Sequence, residues 1–459
     1  MANIEPEYQK TLNYLYSFVD YSLQRNFKFS PEKFDLSRVV KFAAALGNPQ
    51  INYPIIHVAG TKGKGSVSAL CASALFAAGH RVGLYTSPHM DDFAERIQID
   101  GKSIPHSDLV ALVDEIRPQI AAIPYLTFFE ITTSLAFLYF SLQKVSAAVI
   151  EVGLGGRLDP TNICSPIVSV ITSLSYDHMH LLGDTLAEIA GEKAGIIKPG
   201  IPVVISPQKS EAREVLERIA GERHAPLVEL GKDYAFKAEA HSLEGQTLRI
   251  WPTSPLALEE SSQDEPADYH RGSTSLNIPL LGSHQVENAA TAYVSLQIAR
   301  QQGLQVSEAA IQTGFRQVSW PGRFEVLQRD PPVVIDSAHN RDSALKLRQA
   351  LDDYFPGYPV ILVFGASEDK DIAGMFAELM PRIEQVIAVK SFHPRAADPD
   401  MLVELAQKYD RPVQVIPDVA DALGAAVQMA NPGKVVLVAG SIFVAAGARI
   451  AWECSRSKA

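Results

Sequence analysis

The strongest chemical signal in the chain is the stretch His57-Val-Ala-Gly-Thr-Lys-Gly-Lys-Gly-Ser-Val67. Gly60, Gly63 and Gly65 let the backbone turn tightly and bring its N–H groups up to an anion. Lys64 adds a full positive charge, and the Ser66 hydroxyl can reach a phosphate or its metal. The spacing departs from the common phosphate-loop pattern, because Gly60 and Lys64 are too close in sequence and Gly65 stands between Lys64 and Ser66. An ordinary glycine turn is the alternative. A second set of residues is scattered: Ser87, Glu151, His178 and Lys193. Oxygen donors such as Ser and Glu suit Mg²⁺, while a lone His is tolerated but less typical. Ser87, His178 and Lys193 each also fit a plainer role, as turn residue, loop histidine and solvated helix charge. Glu151 is different, because a carboxylate closing an apolar strand needs a partner or a metal. Further on, Val333-Val-Ile-Asp-Ser-Ala-His-Asn340 runs from a strand into a polar turn. There Asp336 could hold a ribose hydroxyl and His339 could face a substrate, or Asn340 could simply cap the next helix. Arg323, in Trp320-Pro-Gly-Arg-Phe324, could clamp a phosphate when two domains close.

These residues need elements to hold them. Ile55–Ala59 reads as a buried strand and Ser66–Gly79 as a helix, the strand–loop–helix context of a phosphate site. Strands are expected at 81–85, 147–152, 166–172 and 201–206, and helices at 5–25, 36–46, 107–121, 130–143 and 185–197. Ser87, Glu151 and His178 then fall at the carboxyl ends of parallel strands, where open α/β sheets bind ligands. From about 234 to 281 the alternation shortens to hairpins. Within it the acidic run 259–268 reads as a mobile surface loop. Helices follow at 284–302 and 306–317. A second strand series, at 332–336, 359–364, 385–389, 413–416 and 433–439, predicts a smaller Rossmann-like α/β domain. The expected division is 1–319 and 320–459.

Composition narrows the class. A chain of 459 residues with 47% hydrophobic and 20% charged residues is a soluble globular balance of two or three domains. A net charge of −11 argues against a nucleic-acid surface, and no apolar run is long enough for a membrane span. Cys71, Cys164 and Cys454 form no metal or disulfide pattern, which fits a reducing cytoplasm. With no apolar stripe left over, a monomer is expected.

The motifs, taken together, closely resemble the folylpolyglutamate synthase/dihydrofolate synthase branch of the Mur ligase superfamily. They are Gly60-Thr-Lys-Gly-Lys-Gly-Ser66, Thr86-Ser-Pro-His89, Glu95-Arg-Ile97, Thr127-Phe-Phe-Glu130, Glu151-Val-Gly-Leu-Gly-Gly-Arg-Leu-Asp159, Asp177-His178, Glu192-Lys-Ala-Gly-Ile196, Asn288-Ala-Ala-Thr-Ala292, Pro321-Gly-Arg-Phe324, Asp336-Ser-Ala-His-Asn340 and Gly440-Ser441. They occur in the family's order along nearly the whole chain. The resemblance implies a P-loop doubly wound parallel-sheet ATPase domain with a small antiparallel region, followed by the Rossmann-like domain. It implies an ATP-dependent amide ligase working through an acyl phosphate. Gly60, Thr61, Lys62, Gly63, Lys64, Gly65 and Ser66 would cradle the ATP phosphates, and Asn288, Arg323 and Asp336 would bind the nucleotide. Ser87 and Glu151 would hold one Mg²⁺, and Glu151 with His178 and a carbamylated Lys193 a second. Phe34, Asp35, Leu36, Thr127, Phe128, Phe129, Glu130, Leu158 and Asp159 would line the pterin or folate site. His339 and Ser441 would lie near the incoming L-glutamate, and Lys64 and Lys193 would join them in catalysis. Lys62 replaces an Asn common in relatives, and the 259–268 loop is long for the family.

Two reactions compete within that branch, glutamate addition to a folate and to dihydropteroate. The first is favoured, and the enzyme could carry the second as well; a dihydrofolate synthase alone is the alternative. A peptidoglycan-precursor ligase and a nucleotide-binding regulatory module are the rivals. The regulatory module would have no need of Glu151, His178 and Lys193 together.

Overall fold

The computed structural model describes residues 4–19, 35–253, 272–391, 393–430 and 433–456. Phe34, the acidic run 259–268 and residues 20–25 of the helix expected at 5–25 lie outside these residues, and residues 17–19 of that helix form a turn instead. The described part of that helix, α1, covers Glu5–Tyr16.

The chain forms two compact units. The first comprises residues 1–239, 247–278 and 286–318, and the second residues 240–246, 279–285 and 319–459. In the first unit α2 (Ser37–Ala45) precedes β1 (Ile55–Ala59), which leads through the glycine loop into α3 (Lys64–Ala77). Then come β2 (Val82–Tyr85), the short strands β3 (Ile97–Ile99) and β4 (Lys102–Ser103), α4 (His106–Ala122), α5 (Phe128–Leu142) and β5 (Ala147–Glu151). They are followed by β6 (Val168–Ile171), α6 (Met179–Leu182), α7 (Leu186–Lys193), β7 (Val203–Ile205), α8 (Ser210–Glu222) and β8 (Leu227–Glu229). The sheet order is β4-β3-β2-β5-β1-β6-β7-β8, parallel from β2 to β8, with β3 and β4 added antiparallel at one edge.

Strand β1 lies between β5 and β6 and is buried at every position. That explains its unbroken apolar reading, since both faces of a parallel sheet are covered. One face packs Leu135, Phe137 and Phe140 of α5 with Leu109 and Ile116 of α4 and Leu12 of α1. Another core joins Ile171 and Val203 to Ala190 of α7 and Leu216 of α8. The hairpin region is a three-stranded sheet of β9 (Tyr234–Ser242), β10 (Gly245–Pro252) and β11 (Thr274–Ile278), followed by α9 (Ser283–Gln301) and α10 (Glu308–Gln317).

The second unit holds a six-stranded sheet, in the order β12 (Glu325–Arg329), β13 (Pro332–Ile335), β17 (Val435–Ala439), β14 (Val360–Phe364), β15 (Ile383–Ala388) and β16 (Val413–Val415). Only β12 runs antiparallel. Helices α11 (Arg341–Tyr354), α12 (Ile372–Leu379), α13 (Pro399–Gln407), α14 (Val419–Met429) and α15 (Ile442–Arg456) alternate with the strands. The architecture is the α/β class expected, with five of the six strands of this sheet at the predicted places. Strands β3, β4, β8 and β12 and helix α8 were not anticipated. The first four are short or lie at sheet edges, where apolar periodicity is weakest.

Candidate active site

The glycine loop connects β1 to α3 with unusual backbone angles, φ +151° at Gly60 and +87° at Gly63. Side chains are also excluded by space. A Cβ on Gly60 would stand 1.8 Å from Thr172 Oγ1, and one on Gly63 would stand 2.2 Å from Asn288 Oδ1. The loop is thus laid flat on the end of β6 and on α9. The N–H groups of Thr61 and Lys62 donate to the Ser173 carbonyl, at 3.0 and 3.1 Å. Thr172 Oγ1 donates to the Lys62 carbonyl at 2.6 Å. These two N–H groups therefore anchor the loop, which narrows the expectation that the whole stretch cradles an anion. The first-turn N–H groups of α3 have no intrahelical acceptor and are open to an anion.

Lys193 ends α7 and is 4% exposed, so the reading as a solvated helix charge fails. Its Nζ donates to the Gly60 carbonyl at 2.9 Å. Burial, and then the charge of Lys64, push its ammonium down to about 7. The turn after β5 packs tightly on this helix end, with Arg157 N–H bonded to the Glu192 carbonyl at 2.8 Å and the two side chains paired. Lys62 reaches Asp177 at 3.2 Å, beside His178, which takes a left-handed conformation and is 39% exposed in its side chain.

Glu151 ends β5 opposite Val58 of β1 and is 5% exposed. Its Oε2 accepts the Ser87 N–H at 3.3 Å. A Cβ added to Gly153 would meet Asp159 Oδ2, Phe129 Cε1 and Ser87 Oγ, all at 3.3–3.4 Å. The structure therefore gathers Ser87, Glu151, Phe129 and Asp159 at one point of the sheet edge, next to the glycine loop. Asp159 accepts N–H bonds from Leu154 and Thr161 at 2.9 and 3.0 Å, and burial raises its pKa in spite of them. Among the described residues no three His, Cys, Asp or Glu side chains converge as a metal cluster.

The Thr127–Glu130 motif has a structural purpose. Thr127 caps α5 by accepting the Glu130 N–H at 3.2 Å, while Glu130 accepts the Thr127 N–H at 2.7 Å and pairs with Arg38. Phe128 is 1% exposed in the core, so Phe129 is the ring that borders the site. Asp35 is exposed and bonds Ser37 at the start of α2, with Leu36 beside it, while Leu158 is half-buried.

In the second unit both carboxylate oxygens of Asp336 accept backbone N–H groups at 2.7 Å, from Phe324 and Ala338. Asp336 thus braces the turn that carries Arg323. Asn340 is the N-cap of α11, with Ser343 reciprocating, so the capping alternative holds for that residue. His339 Nδ1 bonds the Ser337 carbonyl at 2.9 Å, and the buried Ser441 accepts the Phe443 N–H at 3.2 Å.

Both units match known sequences. Residues 58–296 match the Mur ligase middle domain and residues 322–442 the Mur ligase glutamate ligase domain. The chain belongs to the Mur ligase family. Within it, this ligase is 35% identical to the dihydrofolate synthase/folylpolyglutamate synthase of Bacillus subtilis, over 89% of this chain and 92% of the relative. It is also 35% identical to a probable bifunctional folylpolyglutamate synthase/dihydropteroate synthase of Haloferax volcanii, but spans only 50% of that relative's length. A crystal structure of Mycobacterium tuberculosis folylpolyglutamate synthase complexed with ADP and AMPPCP superposes with a TM-score of 0.86 at 31% identity, covering 98% of this chain and 99% of that one. No described helix of this ligase is long and apolar enough to cross a membrane.

Several functional-looking residues escaped the sequence. Thr172 and Ser173 reveal themselves only by packing on the glycine loop, while Asp177 stood in the Asp177-His178 motif with no role attached. Arg96 sat inside the Glu95-Arg-Ile97 motif with no role attached.

Proposed function

We propose that this ligase uses ATP to add L-glutamate to a folate, and that it also accepts dihydropteroate as carboxylate donor. What supports this most is the buried Glu151 carboxylate, which accepts the N–H of the partly exposed Ser87 at the strand ends beside the glycine loop, in a chain whose relatives carry both activities in their names. A substrate carboxylate oxygen attacks the γ-phosphorus of ATP, the bond to ADP breaks, and an acyl phosphate forms. The glutamate amine then attacks the acyl carbon, phosphate leaves, and the nitrogen loses a proton.

Both early reactants are anionic, so the protein must screen their repulsion. Lys64 and the α3 N-terminus receive phosphate oxygens, while Asn288, Arg323 and Asp336 serve the nucleotide. Asp159, Phe129 and Leu158 border the carboxylate donor, and His339 and Ser441 serve the glutamate. The hard oxygen donors Ser87 and Glu151 fit Mg²⁺, which when bound neutralises charge between carboxylate and triphosphate. Glu151, His178 and Lys193 fit a second ion only if Lys193 becomes an oxygen donor. An amine with a pKa pushed down to about 7 is substantially neutral near pH 7.5, the form that reacts with CO₂. Enzyme equilibrated with ¹³C-bicarbonate should show a lysine carbamate carbon resonance, absent in Lys193→Arg. An identical resonance in that variant would refute the assignment.

The overall reading is tested by ADP release with tetrahydrofolate or dihydropteroate, each with and without glutamate. Glutamate-dependent ADP release with both donors is expected. Activity with dihydropteroate alone would make the protein a dihydrofolate synthase only, and turnover with neither would remove it from the folate branch.

A further inference from the structure

Arg96 is a buried cation that no carboxylate among the described residues pairs with. It closes a short helical turn, Phe93–Arg96, after the strand edge that bears Ser87, and it is 6% exposed. Its guanidinium lies 5.7, 5.4 and 5.7 Å from the ring centroids of Phe93, Phe128 and Phe129. Nε donates to His89 Nδ1 at 2.8 Å. Burial, and then Arg96 itself, hold that imidazole neutral, with its pKa lowered to about 3. Nη1 is buried with no hydrogen-bond partner.

Nearby carboxylates are spent elsewhere. Glu95 accepts the N–H groups of Met90, Asp91 and Asp92 at 2.8–3.0 Å. Asp92 takes Tyr8, His106 and the Ala94 N–H. Three aromatic faces partly stabilise a guanidinium, but they cannot accept its in-plane N–H, and a desolvated cation with an open donor favours an anionic acceptor. The Phe129 ring that touches this guanidinium also borders Ser87 Oγ and Asp159 across Gly153. Arg96 is therefore one ring away from the group proposed to meet the carboxylate donor.

We propose that Arg96 is a recognition residue for that substrate, its Nη1 donating to the substrate carboxylate. The Phe93, Phe128 and Phe129 rings hold the guanidinium plane in place beforehand, so little side-chain freedom is lost on binding. This rests on the folate-ligase reading, and the test separates the two.

Calorimetric titration compares dihydropteroate with its decarboxylated analogue, the same molecule ending in an unsubstituted phenyl ring. Wild type should bind dihydropteroate clearly more tightly. Arg96→Met should weaken dihydropteroate by about 30- to 1,000-fold, the range for truncating one side of a buried charged pair, while hardly changing the analogue. ADP affinity should stay the same. The melting temperature of the free variant should hold or rise, because an unpartnered buried charge has been removed. Equal loss for both ligands would place Arg96 on the ring system rather than the carboxylate and overturn the proposal, as would unchanged binding. A fall in melting temperature for both Arg96→Met and Arg96→Gln would show a purely structural cation and overturn it too. If wild type itself bound neither dihydropteroate nor tetrahydrofolate, the folate reading would fail independently of Arg96.

Discussion

Lys64→Met should release ADP about 100- to 1,000-fold more slowly than wild type at saturating substrates, with little change in melting temperature. The reason is placement. Lys64 is the first residue of α3, half-exposed at the helix N-terminus, where the side-chain charge adds to the unsatisfied N–H groups. Screening by such a fixed cation matters most when charge is redistributing between the attacking carboxylate and the departing ADP. The loss should therefore appear in kcat more than in the KM of ATP. Methionine keeps the aliphatic stem, so packing is conserved. Single-turnover measurement of ADP formation checks it, and a variant within tenfold of wild type would mean that the helix N-terminus alone suffices.

Gly63→Ala should damage both stability and nucleotide binding. Two independent penalties apply at that position. A left-handed conformation costs a non-glycine residue about 1–2 kcal/mol. The new Cβ would also stand 2.2 Å from Asn288 Oδ1, so either the loop or the Asn288 side chain must move. A stability loss of about 2–4 kcal/mol is expected, with ATP affinity reduced at least about tenfold because the donors at the start of α3 shift. The contact part is separable. Adding Asn288→Ala should return some of the stability lost in Gly63→Ala, a coupling of about 0.5–3 kcal/mol, while the backbone part persists. Denaturant melts of the two single variants and the double variant close the cycle. Strict additivity would mean that the steric account is wrong.

Those two variants also show what kind of information a sequence carries. Gly63 is written into the chain because only glycine tolerates its φ, so the loop was visible residue by residue. The central strands were visible for a similar reason, since burial on both faces demands continuous apolar residues. Thr127 and Glu130 held a legible signal, the Thr-x-x-Glu spacing before an apolar run, and it marks a helix cap as much as a ligand site. Lys193 and Arg96 were opaque. Nothing local distinguishes a buried cation from a solvated one, because burial comes from Gly60 in one case and from Phe128 and Phe129 in the other, all distant in sequence. Asp336 was half legible. Its place after β13 was clear, but its use in bracing the Phe324 and Ala338 N–H groups depends on a turn folded back from the preceding strand.

Helix α3, which begins with Lys64, is apolar almost all round because α10 closes over it. Ser73 Oγ donates to the Gly314 carbonyl at 2.7 Å across 241 residues of chain, and Gly314 leaves room for nothing larger against Ala74. On a ribosome, α3 therefore emerges long before its cover does, an interval of roughly 12 to 50 s at ordinary elongation rates. During that time a greasy helix sits unshielded on a half-finished sheet. Nascent chains stalled before residue 314 should be sticky and protease-sensitive, clients for a holding chaperone rather than miniature enzymes.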